Sequence, residues 1–487
     1  MALHFYNSLS RTKEKFKPIL DKHVSIYTCG PTVYNFPHIG NYRTYVYWDL
    51  LVRSLRFLDY RVKHVTNITD VGHLTDDEVL ASDTGEDKME KAAKRENKTV
   101  WDIAAFYTQD YIAGLDALHC ARPDVLCPAT EHIEDMITMI AELIAQGHAY
   151  ATPSGVYYDI STFPDYGKLS GNTVDQLEDG ASGRVEQIAD KRSPNDFVLW
   201  VVGKEQSMMW DSPWGRGYPG WHIECSAMAR KYLGDWFDIH GGGVDNKFPH
   251  HECEIAQSEP LSKKKRPFAH TWLHTGHMTV EGARMAKSKG NVYTLADLRE
   301  KQVSMRALRM LYLSAHYRST MDFSWTSLDQ AKATLTSFDR LTERLAKVTT
   351  DGPIRPEFNE ILNGLLFDVM EALEDDMNTP EAFAVLFTWM KEMNGLMDEE
   401  NLSSVEAKAA LGVLETLDGA LEVLLPWPEE QGSGEIPSDV RALFEQRNAA
   451  KEAKDWPLAD SLRDQLKEAG YMVEDTKDGP VLRKISA

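Results

Sequence analysis

Cysteine is scarce in this chain. Its five residues, Cys29, Cys120, Cys127, Cys225 and Cys253, are scattered over 487 positions. That is too few and too spread for a disulfide scaffold, which leaves reduced thiols, metal ligands or buried packing. Positive charge is also short: Lys+Arg number 53 against 75 Asp+Glu, a net −22. Such a balance excludes a protein that coats nucleic acid over its whole surface, but not one with local basic patches. No apolar run approaches the ~18–20 residues of a membrane span. The opening Met-Ala-Leu-His-Phe-Tyr-Asn lacks the basic and apolar regions of a signal peptide, so a cytoplasmic protein with no membrane partner is expected. What is present is ordinary for a folded protein, 43% apolar and 26% charged residues. The length exceeds what one core usually holds and predicts two to four domains. No internal repeat or low-complexity tract is evident. An enzyme of several domains is the expected class.

The N-terminal third alternates strand and helix. Val24 to Thr28 is a β-branched and aromatic run that stops at Cys29-Gly30-Pro31. Tyr42 to Leu58 has apolar residues at helical spacing, and Tyr60 to Thr69 alternates as a second strand. This order predicts a parallel α/β sheet with ligands at the C-terminal strand ends. Asp83 to Lys98 is crowded with charge and reads as exposed helix, and 130–147 as another helix ending at Gly147. From about 150 to 215 short strands broken by Gly, Pro, Ser and Asp look inserted, and α/β character returns at Trp221. Ser327–Val348, Phe358–Glu374, Pro380–Asp398 and Ser403–Leu424 each show the helical period. Trp427 to Glu435 has linker composition, and two helices and then Val473 to Leu482, with turn signals at Asp478-Gly479-Pro480, follow it.

The residues with most chemistry lie in Phe237–Glu254. A strand, Trp236 to His240, runs into Gly241-Gly242-Gly243, which permit close approach of a ligand to the backbone. Pro249 then opens a helix on which His250 and Glu254 share one face. That pair suits Zn²⁺, which takes N, S and O ligands. A plain helix start with solvated His and Glu fits the same stretch. So do His251 with Glu254 at i,i+3 and the Cys253 thiol, and spacing alone does not choose. Cys29 and Cys225 can supply thiolates from elsewhere in the fold or be buried apolar residues; Cys120 and Cys127 read as structural. His38-Ile39-Gly40-Asn41 opens a helix whose N–H groups favour a phosphate, or is simply capped. Gly282 to Asn291 is a glycine-bounded basic loop, or an exposed turn. Lys263-Lys264-Lys265-Arg266 reads as a solvated loop. Arg441 to Lys484 balances nine basic against nine acidic residues, neutral within an acidic chain, which fits an RNA-facing unit.

Together these pieces resemble one family, the class I cysteinyl-tRNA synthetases. The likeness rests on Thr28-Cys-Gly-Pro-Thr-Val-Tyr with Pro37-His-Ile-Gly, on Gly220-Trp-His-Ile-Glu-Cys-Ser-Ala-Met228, and on Phe237 to Ser258. Asp375-Asp-Met-Asn-Thr-Pro-Glu-Ala382, Asp455 to Asp464 and Glu474 to Gly479 carry it to the C-terminal unit. The resemblance implies a Rossmann-like catalytic domain in two halves, 1–125 and 216–303, split by an inserted connective domain over 126–215. A stem-contact and helical bundle domain over 304–426 and an anticodon-recognition domain over 436–487 complete the implied architecture. It also implies one Zn²⁺ per chain on Cys29, Cys225, His250 and Glu254, which selects these over His251 and Cys253. ATP with Mg²⁺, L-cysteine and cysteine tRNA are the implied partners, and a monomer is expected.

By the same resemblance His38, Gly40, Asn41, Gly241, Gly242, Gly243, Asp245 and Lys287 form the ATP site, and Thr69 and Trp221 close over the amino acid. The chain departs from the family pattern at several of these places. Asn41 stands where a second His is usual, and can donate a hydrogen bond but never as a cation. Arg284 and Ala286 replace Lys and Ser in the Lys-Met-Ser-Lys-Ser signature, while Lys287 stays. Val71-Gly72-His73 replaces an acidic continuation. The implied reaction is activation of cysteine as its adenylate, then transfer to the terminal ribose of the tRNA. Two rivals are weighed: a cysteine ligase acting on an amino-sugar acceptor, and a catalytically silent RNA-binding protein. A long helical region and a C-terminal unit argue against the first, and the intact ligand positions with His38 and Lys287 against the second.

Overall fold

The computed structural model of the chain describes residues 2–71, 87–172, 190–264, 266–286, 289–428, 430, 438–476 and 479–484. At its centre five strands pair in parallel: β1 (His23–Thr28), β2 (Arg61–Ile68), β3 (Val125–Pro128), β4 (Phe237–Gly243) and β5 (Ala269–Thr275). Their order is β5-β4-β1-β2-β3, with Ile26 of β1 facing Ile239 of β4 and His64 of β2. Parallel sheets need both faces covered, and here β4 and β5 are almost wholly buried and β2 is buried from His64 to Ile68, although all three carry polar residues. The chain leaves β1 in one direction towards β2 and β3, and returns on its other side with β4 and β5. That reversal opens a crevice at the C-terminal ends of β1 and β4. The Cys29 N–H, just past β1, donates to the Gly241 carbonyl at 3.0 Å and holds the two strands together at that edge.

Three helices aim side chains at the crevice: α1 (Ile39–Phe57), α2 (Trp221–Leu233) and α3 (His250–Ser258). Helix α1 begins at Ile39, where His38-Ile39-Gly40-Asn41 is expected to open a helix, three residues before the apolar period that starts at Tyr42. His38 accepts from the Asn41 N–H and Asn41 accepts from the His38 N–H, a reciprocal cap that apolar periodicity does not reveal. After β3 and a helix over Ile133–Ala145 comes a four-stranded antiparallel sheet of Ala149–Thr152, Gly155–Tyr158, Phe197–Val202 and Gly217–Pro219. Its last strand passes through Gly220 directly into α2. Of the charged 83–98 segment, Lys88–Glu96 is helical and 83–86 lie outside the described residues.

The helical periods beyond residue 304 correspond to helices Trp325–Ala346, Pro356–Glu374, Thr379–Asp398 and Ser404–Leu421. These share one continuous apolar core with the α/β region. Ser438–Glu452, Trp456–Glu468 and an antiparallel hairpin, Tyr471–Thr476 with Gly479–Lys484, form a unit with small apolar clusters of its own. Among the described residues no helix is long and apolar enough to cross a membrane.

The α/β region and the helices are tied by buried charge. Asp49, in the middle of α1, accepts from Arg309 at 2.5 Å and from Arg53 at 2.9 Å. Arg309 also donates to the carbonyls of Leu118 and Leu421, and Arg53 reaches Glu422. Removing one partner of such a pair strands the other charge away from water, which costs about 3–5 kcal/mol. Asp49→Ala is therefore expected to lower the free energy of urea unfolding by an amount in that range, read as a lower midpoint at unchanged m, and an unchanged midpoint would show that Arg309 finds compensation elsewhere.

Candidate active site and metal centre

A cleft of about 1020 Å³ lies at the crevice between β1 and β4. At its floor the Cys29 and Cys225 thiols, the His250 imidazole and the Glu254 carboxylate have ligand atoms all within 4.8 Å of one another, and all four residues are buried. They come from four places: the end of β1, the middle of α2, and two successive turns of α3. The carboxylate is the telling member. Glu254 Oε1 lies 3.1 Å from His250 Nε2 yet accepts no hydrogen bond, an orphaned acceptor with no access to water. Burial pushes the Glu254 carboxyl well above its ordinary range, and burial with the Cys29 sulfur beside it does the same to the Cys225 thiol. Two groups whose ionised forms burial disfavours, one of them with an orphaned oxygen, beside a thiol and an imidazole fit a divalent cation that would stabilise the ionised forms.

A second set, Cys29, His240, His251 and Glu254, satisfies the same distance test and shares two members with the first. The cleft separates them. Cys29, Cys225 and His250 all line it, whereas Cys29 alone of the second set does. His240 is already committed, its Nε2 2.8 Å from Glu254 Oε2 and its ring stacked on Trp272. An ion on the first set would face incoming substrate; one on the second would be sealed from it.

Histidines surround this floor. His222 Nδ1 lies 2.9 Å from His250 Nδ1, His251 Nε2 3.2 Å from the Cys29 sulfur, and His251 Nδ1 2.9 Å from His274 Nε2. His274 in turn meets the Ser8 hydroxyl. Burial lowers the His240 pKa to about 4 and that of His274 to about 3, so both rings are neutral near pH 7. Sequence reasoning missed His222, His240 and His274 in these roles. The available signal was position: His222 lies three residues before Cys225 on α2, and His240 shares a strand with the three glycines. Cys253 belongs to neither set, its sulfur 3.4 Å from the Tyr166 hydroxyl.

The other end of the cleft is the N-terminus of α1. His38, Gly40 and Asn41 line it with Gly243 and Asp245, and His277 Nδ1 lies 3.5 Å from Asp245 Oδ2. A Cβ on Gly40 would come within 2.6 Å of Met285 Cε, so the glycine lets the Arg284-Met285-Ala286 segment press against the helix start. Asn291 pins that loop, accepting from the Ala286 N–H and donating to the Arg284 carbonyl. Lys287 falls outside the described residues. The three strand glycines separate into two kinds. A Cβ on Gly241 would meet the Trp48 ring at 3.0 Å, and one on Gly242 the His251 ring at 2.7 Å. Those two glycines make room for side chains; Gly243 alone of the three opens on the cleft. Thr69 and Trp221 line the cleft near the quartet. Trp221 stacks on His250 at 4.4 Å, and the Thr69 hydroxyl donates to Glu224 and accepts from Asn67.

Solved structures share this fold. A methionyl-tRNA synthetase from Mycobacterium tuberculosis superposes with a TM-score of 0.58 at 14% identity, over 88% of this chain and 94% of that one. The LeuRS of Agrobacterium radiobacter gives 0.59 at 11%, over 84% and 85%. Residues 15–333 match the family described as tRNA synthetases class I (C) catalytic domain, and 368–425 match the DALR domain. The fold and the cleft are thus those of a class I aminoacyl-tRNA synthetase. Residues 433–481 match the Cysteinyl-tRNA ligase anticodon binding domain. The cysteine–tRNA ligase of Chlorobaculum tepidum is 42% identical over the full length of both chains, and that of Thermus thermophilus 44% over 99% of each. The chain belongs to the cysteine–tRNA ligase family.

The quartet makes a direct expectation. Purified protein should hold close to one transition-metal ion per chain by elemental analysis, and Cys225→Ser should lose most of it. Metal binding must displace protons from Cys225 and Glu254, whose pKa values burial raises, so affinity should fall steadily as pH falls. A metal content unchanged in Cys225→Ser would remove Cys225 from the centre.

Proposed function

We propose that this chain activates L-cysteine with ATP to give cysteinyl-adenylate and pyrophosphate, and then passes the cysteinyl group to the terminal ribose of cysteine tRNA. The observation that carries the reading is the buried two-thiol quartet sharing one cleft with the capped N-terminus of α1. We assign the quartet Cys29, Cys225, His250 and Glu254 to one Zn²⁺, and ATP to its Mg²⁺ complex. Bound there, zinc supplies a coordination position that a thiolate fills strongly and a serine hydroxyl poorly. A site built around one such polar contact can reject an analogue lacking it by ~10⁴ or more, which makes hydrolytic editing unnecessary. The match to an anticodon binding domain favours a tRNA acceptor over an amino sugar.

In the first step an oxygen of the cysteine carboxylate attacks the α-phosphorus and pyrophosphate leaves; no covalent bond to the protein forms. Positioning and charge stabilisation do the work. His38 Nδ1 accepts from the Asn41 N–H, so the neutral ring carries its proton on Nε2 and offers it as a donor to phosphate. Asn41 Oδ1 is engaged by the His38 N–H, which leaves the Asn41 amide N–H groups for the same task. A histidine at position 41 would change that cap, and asparagine satisfies both functions. Lys287 supplies positive charge to the phosphates. Gly243 and Asp245 flank the nucleoside. Thr69, its proton committed to Glu224, keeps acceptor capacity for the ammonium group of the substrate. Trp221 walls the amino-acid end. In the second step a hydroxyl of the terminal ribose attacks the carbonyl carbon and AMP leaves.

The unit from 436 to 487 is assigned to the anticodon end of the tRNA. Trp456 there is 55% exposed, available to stack an unpaired base, while Tyr471 packs against the Val440, Leu466 and Val473 cluster.

Three measurements test this reading. ATP–pyrophosphate exchange across a panel of amino acids should proceed with cysteine and fail with serine and alanine; exchange with another amino acid in preference would overturn it. Lys287→Ala should lower the exchange kcat by ~10²-fold or more with a smaller change in cysteine KM, since its charge meets phosphate charge developing in the transition state. An unchanged kcat would remove that role. Truncation before Ile436 should leave exchange nearly intact while tRNA charging falls steeply through weaker binding, whereas undiminished charging would show that the unit reads no anticodon.

A further inference from the structure

We propose that the unpaired 3′ end of the tRNA enters the cleft along an aromatic and basic track made by Trp101, Phe106 and Phe36 with Lys94 and Lys98. The inference rests on the assignment of tRNA as acceptor and adds the surface that delivers its reactive end.

The track begins at the cleft. Phe36 stands two residues before His38 and lines the cleft wall. Its ring meets Phe106 at 5.9 Å and Tyr107 at 5.0 Å, both edge-on. Phe106 and Tyr107 belong to the helix Val100–Ala117. Lys98 Nζ sits 4.4 Å over the Phe106 ring and also pairs with Glu96. Lys98 in turn lines a second cavity of about 390 Å³ with Lys94, Asn97, Trp101 and Ser207. Trp101 meets Trp210 of the inserted unit edge-on at 6.4 Å. A continuous path therefore runs from this outer cavity over Lys98 and Phe106 to Phe36 and the ATP end.

Two properties of the path point to single-stranded RNA. Its large rings are left in water: Phe36, Phe106 and Trp101 are 39%, 45% and 51% exposed. Single exposed apolar side chains are ordinary, but three in sequence at the mouth of an active site form a surface that stacked bases would cover. The charge is also local and of the right sign. Residues 87–98 hold five basic side chains against three acidic ones, in a chain at −22. Lys91, Lys94, Arg95 and Lys98 are all exposed there. Bases on the rings and phosphates along the cations would bring the terminal ribose to the adenylate, a delivery the second step requires.

The test compares binding of two cysteine tRNA transcripts, one intact and one lacking its unpaired 3′ nucleotides, to full-length protein. Phe106→Ala is expected to weaken binding of intact tRNA about tenfold, the loss of one stacked base, and to leave the truncated transcript's affinity unchanged. Phe106→Trp is expected to restore binding of the intact transcript. ATP–pyrophosphate exchange should be unaffected by Phe106→Ala, because no RNA takes part in it. Unchanged binding of intact tRNA in Phe106→Ala, or equal weakening of both transcripts, would overturn the proposal. So would loss of exchange in the variant, which would make Phe106 a structural residue. Absence of cysteine-dependent exchange in the unaltered protein would instead remove the functional reading on which the inference rests.

Discussion

Everything in the catalytic half follows from the constraint that two thiols, an imidazole and a carboxylate must be gathered in one place without water. No local sequence can do this, because the quartet spans Cys29 to Glu254 and needs β1 and β4 to be neighbours while lying far apart in the chain. The strand order β5-β4-β1-β2-β3 supplies that adjacency, and the Cys29 N–H bonded to the Gly241 carbonyl fastens it at the point where Cys29 leaves the strand. Helices α2 and α3 then need only present Cys225, His250 and Glu254 from the side. The surrounding histidines answer the remaining problem of buried polar atoms. His222 meets His250, His251 meets Cys29 and His240 meets Glu254, so each has a partner in the protein while Glu254 keeps one oxygen unsatisfied. Outer partners of this kind fix the orientation of ligands.

Much of this was legible in the sequence, for identifiable reasons. β1 was legible as a β-branched and aromatic run that is buried from Ile26 to Thr28, β2 by its alternation, and the 3.6-residue period of the later helices reflects single buried faces packed into one core. His250 and Glu254 were legible because helical spacing puts i and i+4 together. The choice among His250, His251 and Cys253 was not, since α3 is buried all round and every one of its residues is screened from water. The resemblance chose the first set, and the cleft supports that choice because only that set faces it. The glycines show the opposite limit. Three in a row read as one ligand cradle, yet two of them accommodate Trp48 and His251, contacts that arise only when α1 and α3 close over the sheet. Apolar periodicity alone starts α1 at Tyr42; its true start at Ile39 was legible only from the polar His38-Ile39-Gly40-Asn41 motif, because periodicity counts only apolar residues.

Helix α1 also explains why the cleft and the helical region behave as one body. Its first turn carries His38 and Asn41, its second Arg43, and its middle Asp49. Arg43 is buried and donates to the carbonyls of Gly276, His277, His316, Tyr317 and Ser319. Among these, Gly276 and His277 are cleft residues. The 316–319 loop is held from its other side by Asp376, which accepts from the Tyr317 hydroxyl, from Arg318 and from the Tyr6 N–H. Asp376 and Met377 both adopt positive φ, 64° and 53°, a conformation uncommon outside glycine. The Asp375-Asp-Met-Asn-Thr-Pro segment thus has a mechanical meaning. It is a tight, polar reversal between two helices whose carboxylate grips the loop that Arg43 also grips. A displacement of the helical region by bound tRNA would pull on the same carbonyls that shape the cleft at Gly276 and His277. Asp49 and Arg309 add a second, purely ionic tie one to two turns further along α1. Two independent anchors on one rigid helix leave little freedom for the helical region to rotate against the sheet. The capped N-terminus of α1 at the cleft is therefore set by the contacts of Arg43 and Asp49 further along the helix, and not by the local His38-Ile39-Gly40-Asn41 sequence alone.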